Sequence, residues 1–316
     1  GFKSNKSFKP ILLIDKNIFF SILIPTFNGC KTILSVLESI KKQSYGHYEI
    51  IIYDDCSVDS TVEIISTWIN NSSLKVVFKK GNINKGSYFA LKECIGLATG
   101  DYIIFTAQDN CFTQDRLFSL NNEIKQNRNL QLISSDVYIG SYSEYLRKKA
   151  TMLKGLAGCM IPNINSLLML RSSIFRFDSI TISRQKLKYF PTNHLYMPSE
   201  DFAFVMNIFS DLKIITDEYL HIKKPLVYII KSDKSQSHAK SIEISDASIM
   251  IIKKYNLSWF SRSMIIGNFK LIGLARLNSP HKVLIYFFTN PLDAILGFLL
   301  LVSRMFILLA LSSKMK

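Results

Sequence analysis

Between residues 18 and 136 the chain alternates short apolar runs with amphipathic stretches, and this rhythm restricts it to few architectures. Residues 19–24, 48–53, 74–78, 102–105 and 130–134 have the length and composition of strands. Residues 31–42, 60–69, 87–98 and 114–125 carry apolar side chains at helical spacing. Strands that read as continuous apolar runs are covered on both faces. Their alternation with helices predicts an α/β fold built on a mostly parallel open sheet flanked by helices. In such sheets ligands bind beyond the carboxyl ends of the strands.

Three of those strand ends are polar. The first closes in Pro25-Thr26-Phe27-Asn28, the second in Asp54-Asp55-Cys56-Ser57, and the fourth in Gln108-Asp109-Asn110. No G-x-G-x-x-G follows the first strand and no G-x-x-x-x-G-K-[ST] occurs anywhere, so neither a dinucleotide fold nor a P-loop is supported. Taken alone, Asp54-Asp55 reads equally as a turn leading to a helix cap at Ser57 or Asp59. Further on, Pro198-Ser199-Glu200-Asp201 reads as a helix start, with Asp201 as an acid complementing the helix dipole. Residues 225–230 read as another strand, and 231–240 as a polar loop.

The formal net charge of +15 over 316 residues calls for a polyanionic partner or surface. Nucleic-acid binding would interleave aromatics with a basic stripe, and no such stripe occurs outside the apolar runs. Five cysteines, none in C-x-x-C spacing, argue against a disulfide framework or a zinc site and fit a reducing compartment. Residues 284–311 are strongly apolar, with Asp293 and Arg304 the only charges. The uninterrupted stretch 294–302 is shorter than the roughly 20 residues that span a bilayer. It reads as a helix lying at the membrane interface, its basic flanks on anionic headgroups. A buried helix or an oligomer contact is the plainer reading. The expected layout is an extension over 1–17, a ligand-binding half over 18–135, an acceptor half over 136–240, and a helical apolar C-terminal extension over 241–316.

Together the strand ends resemble the inverting family 2 glycosyltransferases, which have the fold called GT-A. Residues Ser21 to Asn28 are similar to that family's opening strand. Tyr53-Asp54-Asp55-Cys56-Ser57-Val58-Asp59-Ser60-Thr61 resembles its D-D-x-S-x-D-x-T signature. Asn84-Lys85-Gly86 and Ala98-Thr99-Gly100-Asp101-Tyr102 resemble the approach to the metal-binding strand. Gln108-Asp109-Asn110, followed by Asp115-Arg116-Leu117, matches the D-x-D region in position, and Glu200-Asp201 resembles the E-D pair that supplies the base. The likeness runs from about residue 19 to 230.

The resemblance implies transfer of one sugar from a nucleotide-sugar donor, a UDP-sugar by its base contact, to a hydroxyl of a glycan or a polyprenyl-diphosphate-linked acceptor. It implies Asp201 as general base and Pro25, Thr26, Asn28, Asp55, Gln108 and Asp109 around the donor. It also implies Asp109 and His221 on a divalent cation, Mn2+ or Mg2+, with Asp54, Glu200 and Asn110 in support. Bacterial surface-polysaccharide assembly on the cytoplasmic face of the membrane follows by association. The sequence departs from the family at Ala107 and Asn110, where carboxylates are usual, and at Leu91-Lys92, where an arginine–asparagine pair is common. Two alternatives remain open. One is a sugar-nucleotide binding protein that has lost metal chemistry; the other is a nucleotidyltransferase, whose glycine-rich basic loop is missing here.

Overall fold

The computed structural model describes residues 17–146, 151–153, 177–192, 199–211, 218–230, 241–253, 266, 271, 285–286 and 288–299. The apolar run 167–170, the loop 231–240, residues 300–311, and His194 and His238 lie outside the described residues. The first half follows the expected rhythm: β1 (Phe20–Thr26), α1 (Ile33–Lys41), β2 (Tyr48–Asp54), α2 (Thr61–Asn70), β3 (Val76–Lys80), α3 (Ser87–Leu97) and β4 (Tyr102–Phe105). These four strands are parallel neighbours, β1 lying between β2 and β4, and β3 beyond β2.

Period-two alternation sends successive side chains of each strand to opposite faces. Leu23, Ile51, Ile103 and Phe105 face a core shared with α3. Ile22, Ile24, Ile50, Ile52 and Ile104 face a second core with α1 and α2. All nine of these side chains are essentially inaccessible to solvent. With both faces of β1, β2 and β4 covered, their middles, Ile22–Ile24, Ile50–Ile52 and Ile103–Phe105, read as unbroken apolar runs.

The rhythm then breaks. It passes through β5 (Cys111–Phe112), α4 (Arg116–Gln126), β6 (Leu132–Gly140), α5 (Tyr142–Leu146), β7 (Thr151–Leu153), a 3-10 turn (Phe177–Ser179), β8 (Thr181–Ser183) and a second 3-10 turn (Arg184–Tyr189). After these come α6 (Glu200–Asp211), β9 (Tyr219–Ile230) and α7 (Ser241–Lys253). The strands form one nine-stranded sheet in the order β3-β2-β1-β4-β8-β6-β9-β5, with β7 alongside β6. β8 runs antiparallel to both β4 and β6, β5 antiparallel to β9, and β6 parallel to β9. The sheet is therefore parallel in its first half and mixed in its second. The expected boundary between residues 135 and 136 falls inside β6, whose nine residues carry the sheet across it.

Candidate active site

Beyond the carboxyl ends of β1 and β2, the backbone turns through left-handed conformations at Asn28 (φ 51°) and Cys56 (φ 65°). Asparagine tolerates that region through local hydrogen bonds; for cysteine it is strained and must be held by its surroundings. The holding groups are the signature residues themselves. Asp54 accepts from Ser57 N (2.9 Å) and from the Ser57 hydroxyl. Asn28 N donates to Ser57 Oγ (2.8 Å), and Asn28 Oδ1 accepts from Val58 N (3.0 Å). Gly29 N donates to Thr61 Oγ1 at 2.7 Å. Thr26 O accepts from Asp55 N at 2.8 Å. Asn28, read from sequence as a contact to a donor, and Asp54, read as a supporting residue, thus brace one loop against the other.

Asp55 is 3% exposed and accepts from Lys85 N (3.0 Å) and Gly86 N (2.6 Å), which folds the Asn84–Gly86 turn against the same rim. Gln108 reaches from the end of β4 to the β1 loop. Its Oε1 accepts from Phe27 N (2.8 Å) and from the Thr26 hydroxyl, and its Nε2 donates to Phe27 O at 3.0 Å. Gly29 leaves room for it: a Cβ there would stand 2.5 Å from Gln108 Oε1. Pro25 is the penultimate residue of β1, paired with Tyr53.

Asp109 follows directly and keeps partial solvent access. Burial, reinforced by the charge of Asp178, pushes its carboxyl up to about 6. Asn110 Oδ1 accepts from Ile230 N at 3.2 Å, tying the end of β4 to the end of β9. Asp201 lies exposed in the first turn of α6, where its Oδ1 accepts from Phe202 N at 2.7 Å. Its charge is felt at Asp178. The loop after β4 that carries Asp109 is joined to the turn before β8 by the hydrogen bond from Ala107 N to Asp178 Oδ1 (3.1 Å), and Asp201 opens α6. Glu200 begins α6 beside Asp201.

His221 is the clear correction. Both ring nitrogens are engaged, Nδ1 with Ser134 Oγ (2.8 Å) and Nε2 with Asp136 Oδ1 (2.9 Å), and Ser134 Oγ also meets Tyr219 OH at 2.9 Å. The group is a buried polar chain between β6 and β9, which takes His221 out of the metal role. Sequence reasoning also missed Asp178 and Arg116. Arg116 is 1% exposed, donates Nη2 to Asp178 O at 2.8 Å, and lies 4.1 Å from the centre of the Phe112 ring. Arg116 lies in the quoted Asp115-Arg116-Leu117 motif but was given no role, and nothing local in the sequence distinguishes Asp178 from a surface charge.

Among the described residues, no group of three or more His, Cys, Asp or Glu is placed to hold a metal ion by itself. The hard, partly accessible oxygen of Asp109 nevertheless suits a magnesium-like cation, which takes one or two carboxylates and completes its shell with phosphates and water.

A curled sheet of this order, with carboxylates gathered at its strand ends and at a helix start, defines a nucleotide-sugar transferase of the GT-A class. Residues 21–190 match the family model for Glycosyl transferase family 2, and the chain belongs to that family. WfaP of Escherichia coli, a UDP-Glc:alpha-D-GlcNAc-diphosphoundecaprenol beta-1,3-glucosyltransferase, is 30% identical over 192 residues, which is 60% of this chain and 70% of WfaP. The amylovoran biosynthesis glycosyltransferase AmsB of Erwinia amylovora is 34% identical over 104 residues, 32% of this chain and 34% of AmsB. The match thus spans about a third of AmsB. Among solved structures, S. aureus TarS 1-349 in complex with UDP-GlcNAc aligns with a TM-score of 0.57 at 18% identity, covering 82% of this chain and 73% of that one. The Pyrobaculum calidifontis mannosyltransferase PcManGT in complex with GDP-Man and Mn2+ gives 0.55 at 17% identity, covering 92% and 81%. At these identities the structures establish the fold.

Proposed function

We propose that this chain transfers one sugar, with inversion, from a UDP-sugar to a hydroxyl of a glycan or polyprenyl-diphosphate-linked acceptor in bacterial surface-polysaccharide assembly. The observation that carries the reading is the rim beyond β1 and β2, where Asp55 holds the Lys85–Gly86 turn and Gln108 ties the loop bearing Asp109 to Phe27. The names of WfaP and AmsB point the same way for the pathway.

The roles divide by position. Asp201 is exposed and so is open to an incoming hydroxyl, whose proton it accepts as the oxygen attacks the anomeric carbon. Attack from the side opposite the leaving group inverts that centre. Thr26 and Asp55, bonded across the rim, place the nucleoside, and Asp109 faces the diphosphate. A divalent cation, when bound, offsets the charge that grows on the leaving diphosphate, and Asp109 would hold it.

The apolar C-terminal region supports a place at the membrane. Exposed on the described part of 285–299 are Ile285, Phe288, Leu292, Ile295, Phe298 and Leu299. Ala294 and Leu296 are buried. No described helix is long and apolar enough to cross a membrane. An exposed apolar stripe on a chain of charge +15 suits the anionic cytoplasmic leaflet, where a lipid-linked acceptor would be found.

The test combines binding with turnover. UDP should bind in calorimetry, more tightly with manganese, and D201N should keep that binding while losing transfer by about a hundredfold or more. A sugar-nucleotide binding protein, the second reading prompted by the sparse acids of the strand-end loop, would show no turnover and no effect of D201N. Failure of every nucleoside diphosphate to bind would end both readings.

A further inference from the structure

Phe204 lies three residues after Asp201 on α6 and is 1% exposed. Residues at that spacing are neighbours on a helix, so whatever fixes the Phe204 ring also fixes the turn that carries Asp201. The ring stands edge-on to Phe105, the last residue of β4, with centroids 5.8 Å apart and planes at 86°. Asp109 follows Phe105 by four residues. One aromatic contact therefore joins the strand that leads to Asp109 to the helix that carries Asp201.

That contact belongs to a chain of rings. Phe177 stacks on Phe105 at 4.6 Å and 27°, and closes a triangle with Phe204 at 6.5 Å. On the other side, Phe190 meets Phe204 edge-on at 5.3 Å and stacks on Tyr88 at 5.6 Å. The Tyr88 hydroxyl donates to Pro191 O at 2.8 Å. Tyr88 is in the first turn of α3, two residues beyond Gly86, whose N–H donates to Asp55 at 2.6 Å. The rings thus run from the turn held by Asp55, through α6, to the end of β4. Polar ties hold α6 in the same setting. Asn207 Nδ2 donates to Tyr189 O (3.0 Å), and Ser199 Oγ meets Ser248 Oγ of α7 at 3.1 Å.

We propose that Phe204 is a positioning residue for sugar transfer, its ring setting the place of the Asp201 turn relative to the strand end that leads to Asp109. The assignment rests on the reading of Asp201 as the base and deepens it. Paired rings are directional, because their edges are positive and their faces negative. A leucine would fill much of the same volume without fixing the angle between helix and strand. The base and the donor-side carboxylate come from separate halves of the chain, and a proton is accepted only within hydrogen-bond reach of the attacking oxygen. A displacement of about 1 Å costs on the order of a hundredfold in rate. The ring lies in the core shared with α3, not in the rim, so its effect falls on turnover and spares donor binding.

Release of UDP from UDP-glucose, with water as the acceptor, tests this on the full chain alongside calorimetry of UDP binding. F204L should lower kcat by about tenfold to a hundredfold, while KM and the Kd for UDP stay within about twofold. In a D201N background the same change should add no further loss. Equal fractional losses in both backgrounds would mean that Phe204 supports the fold alone, and would overturn the assignment. If D201N leaves UDP release unchanged, the base reading falls and takes this assignment with it, while UDP binding keeps the donor reading standing. F190L trims the same chain of rings outside both elements and carries the test if F204L does not fold. If UDP-glucose is not turned over, a denaturant-unfolding cycle over F105L and F204L decides. The double variant should lose less than the product of the two single losses, by about twofold to tenfold in the unfolding constant. Additive losses would overturn the lock between strand and helix.

Discussion

Gln108 and Phe27 are joined by two hydrogen bonds, one in each direction, between the side-chain amide of the first and the main chain of the second. The pair fixes the distance between the loop after β1 and the loop that carries Asp109. Each bond contributes about 1 kcal/mol net. Q108A should therefore weaken UDP binding by roughly tenfold to a hundredfold in calorimetry, while kcat at saturating donor changes far less. A loss confined to kcat would show that the amide acts on the reaction rather than on the loop.

His221 offers a contrast between a structural and a metal role. In H221A the buried Asp136 and Ser134 each lose a partner, which should cost about 2–4 kcal/mol in denaturant unfolding. The dependence of activity on manganese concentration should not shift in the protein that remains folded. A raised manganese requirement would restore His221 to the metal site.

At the opposite end of the strands, Glu49 is 1% exposed and accepts from Ser21 Oγ, Thr99 N and Thr99 Oγ1, with Lys75 Nζ at 2.7 Å. Burial works against its charge, but the hydrogen bonds from Lys75, Ser21 and Thr99 outweigh it and hold the carboxyl below the usual glutamate range. A depressed folded value adds stability above the unfolded pKa, and that stability is lost as pH falls through the folded value. Wild type should exceed E49Q by on the order of 1–3 kcal/mol at neutral pH. The gap should start to close near the unfolded value of about 4.3 and shrink further in more acid solution. A gap that widens on acidification would mean the sign of the shift is wrong.

The apolar stripe at 285–299 gives a physical handle on membrane association. Phe288 and Leu292 are 79% and 48% exposed. Each would contribute about 1.5–3 kcal/mol if fully buried in lipid. The double substitution F288S/L292S should therefore reduce co-flotation with anionic vesicles by more than about tenfold. Equal flotation of the two proteins would argue for a different role for this face.

The parts of the fold that were legible are those whose burial is uniform. β1, β2 and β4 are covered on both faces, so their apolar runs stand out, and the helices between them carry apolar stripes. β5, β7 and β8 have only two or three residues each, too few to show a period. β6 and β9 were read short because a register shift near Asp136 and the polar trio Ser134, Asp136 and His221 interrupt their pattern. The strand-end residues were singled out through the order of their motifs, and Asp201 likewise. Their division of labour was not visible, because Asp54 and Asn28 look the same whether they meet a ligand or a neighbouring amide. Asp178 escaped notice for a related reason. Only the antiparallel return of β8 brings it to Ala107, and no local pattern encodes that meeting.

The loops beyond β1 and β2 are closed by bonds between side chains and backbone at Asn28, Asp54, Asp55 and Gln108. The conformational entropy of these loops is lost when the chain folds, not when a nucleotide arrives. Binding on this side should then release water and counterions without a compensating loss of loop motion, so the enthalpy of capture should carry little signature of ordering.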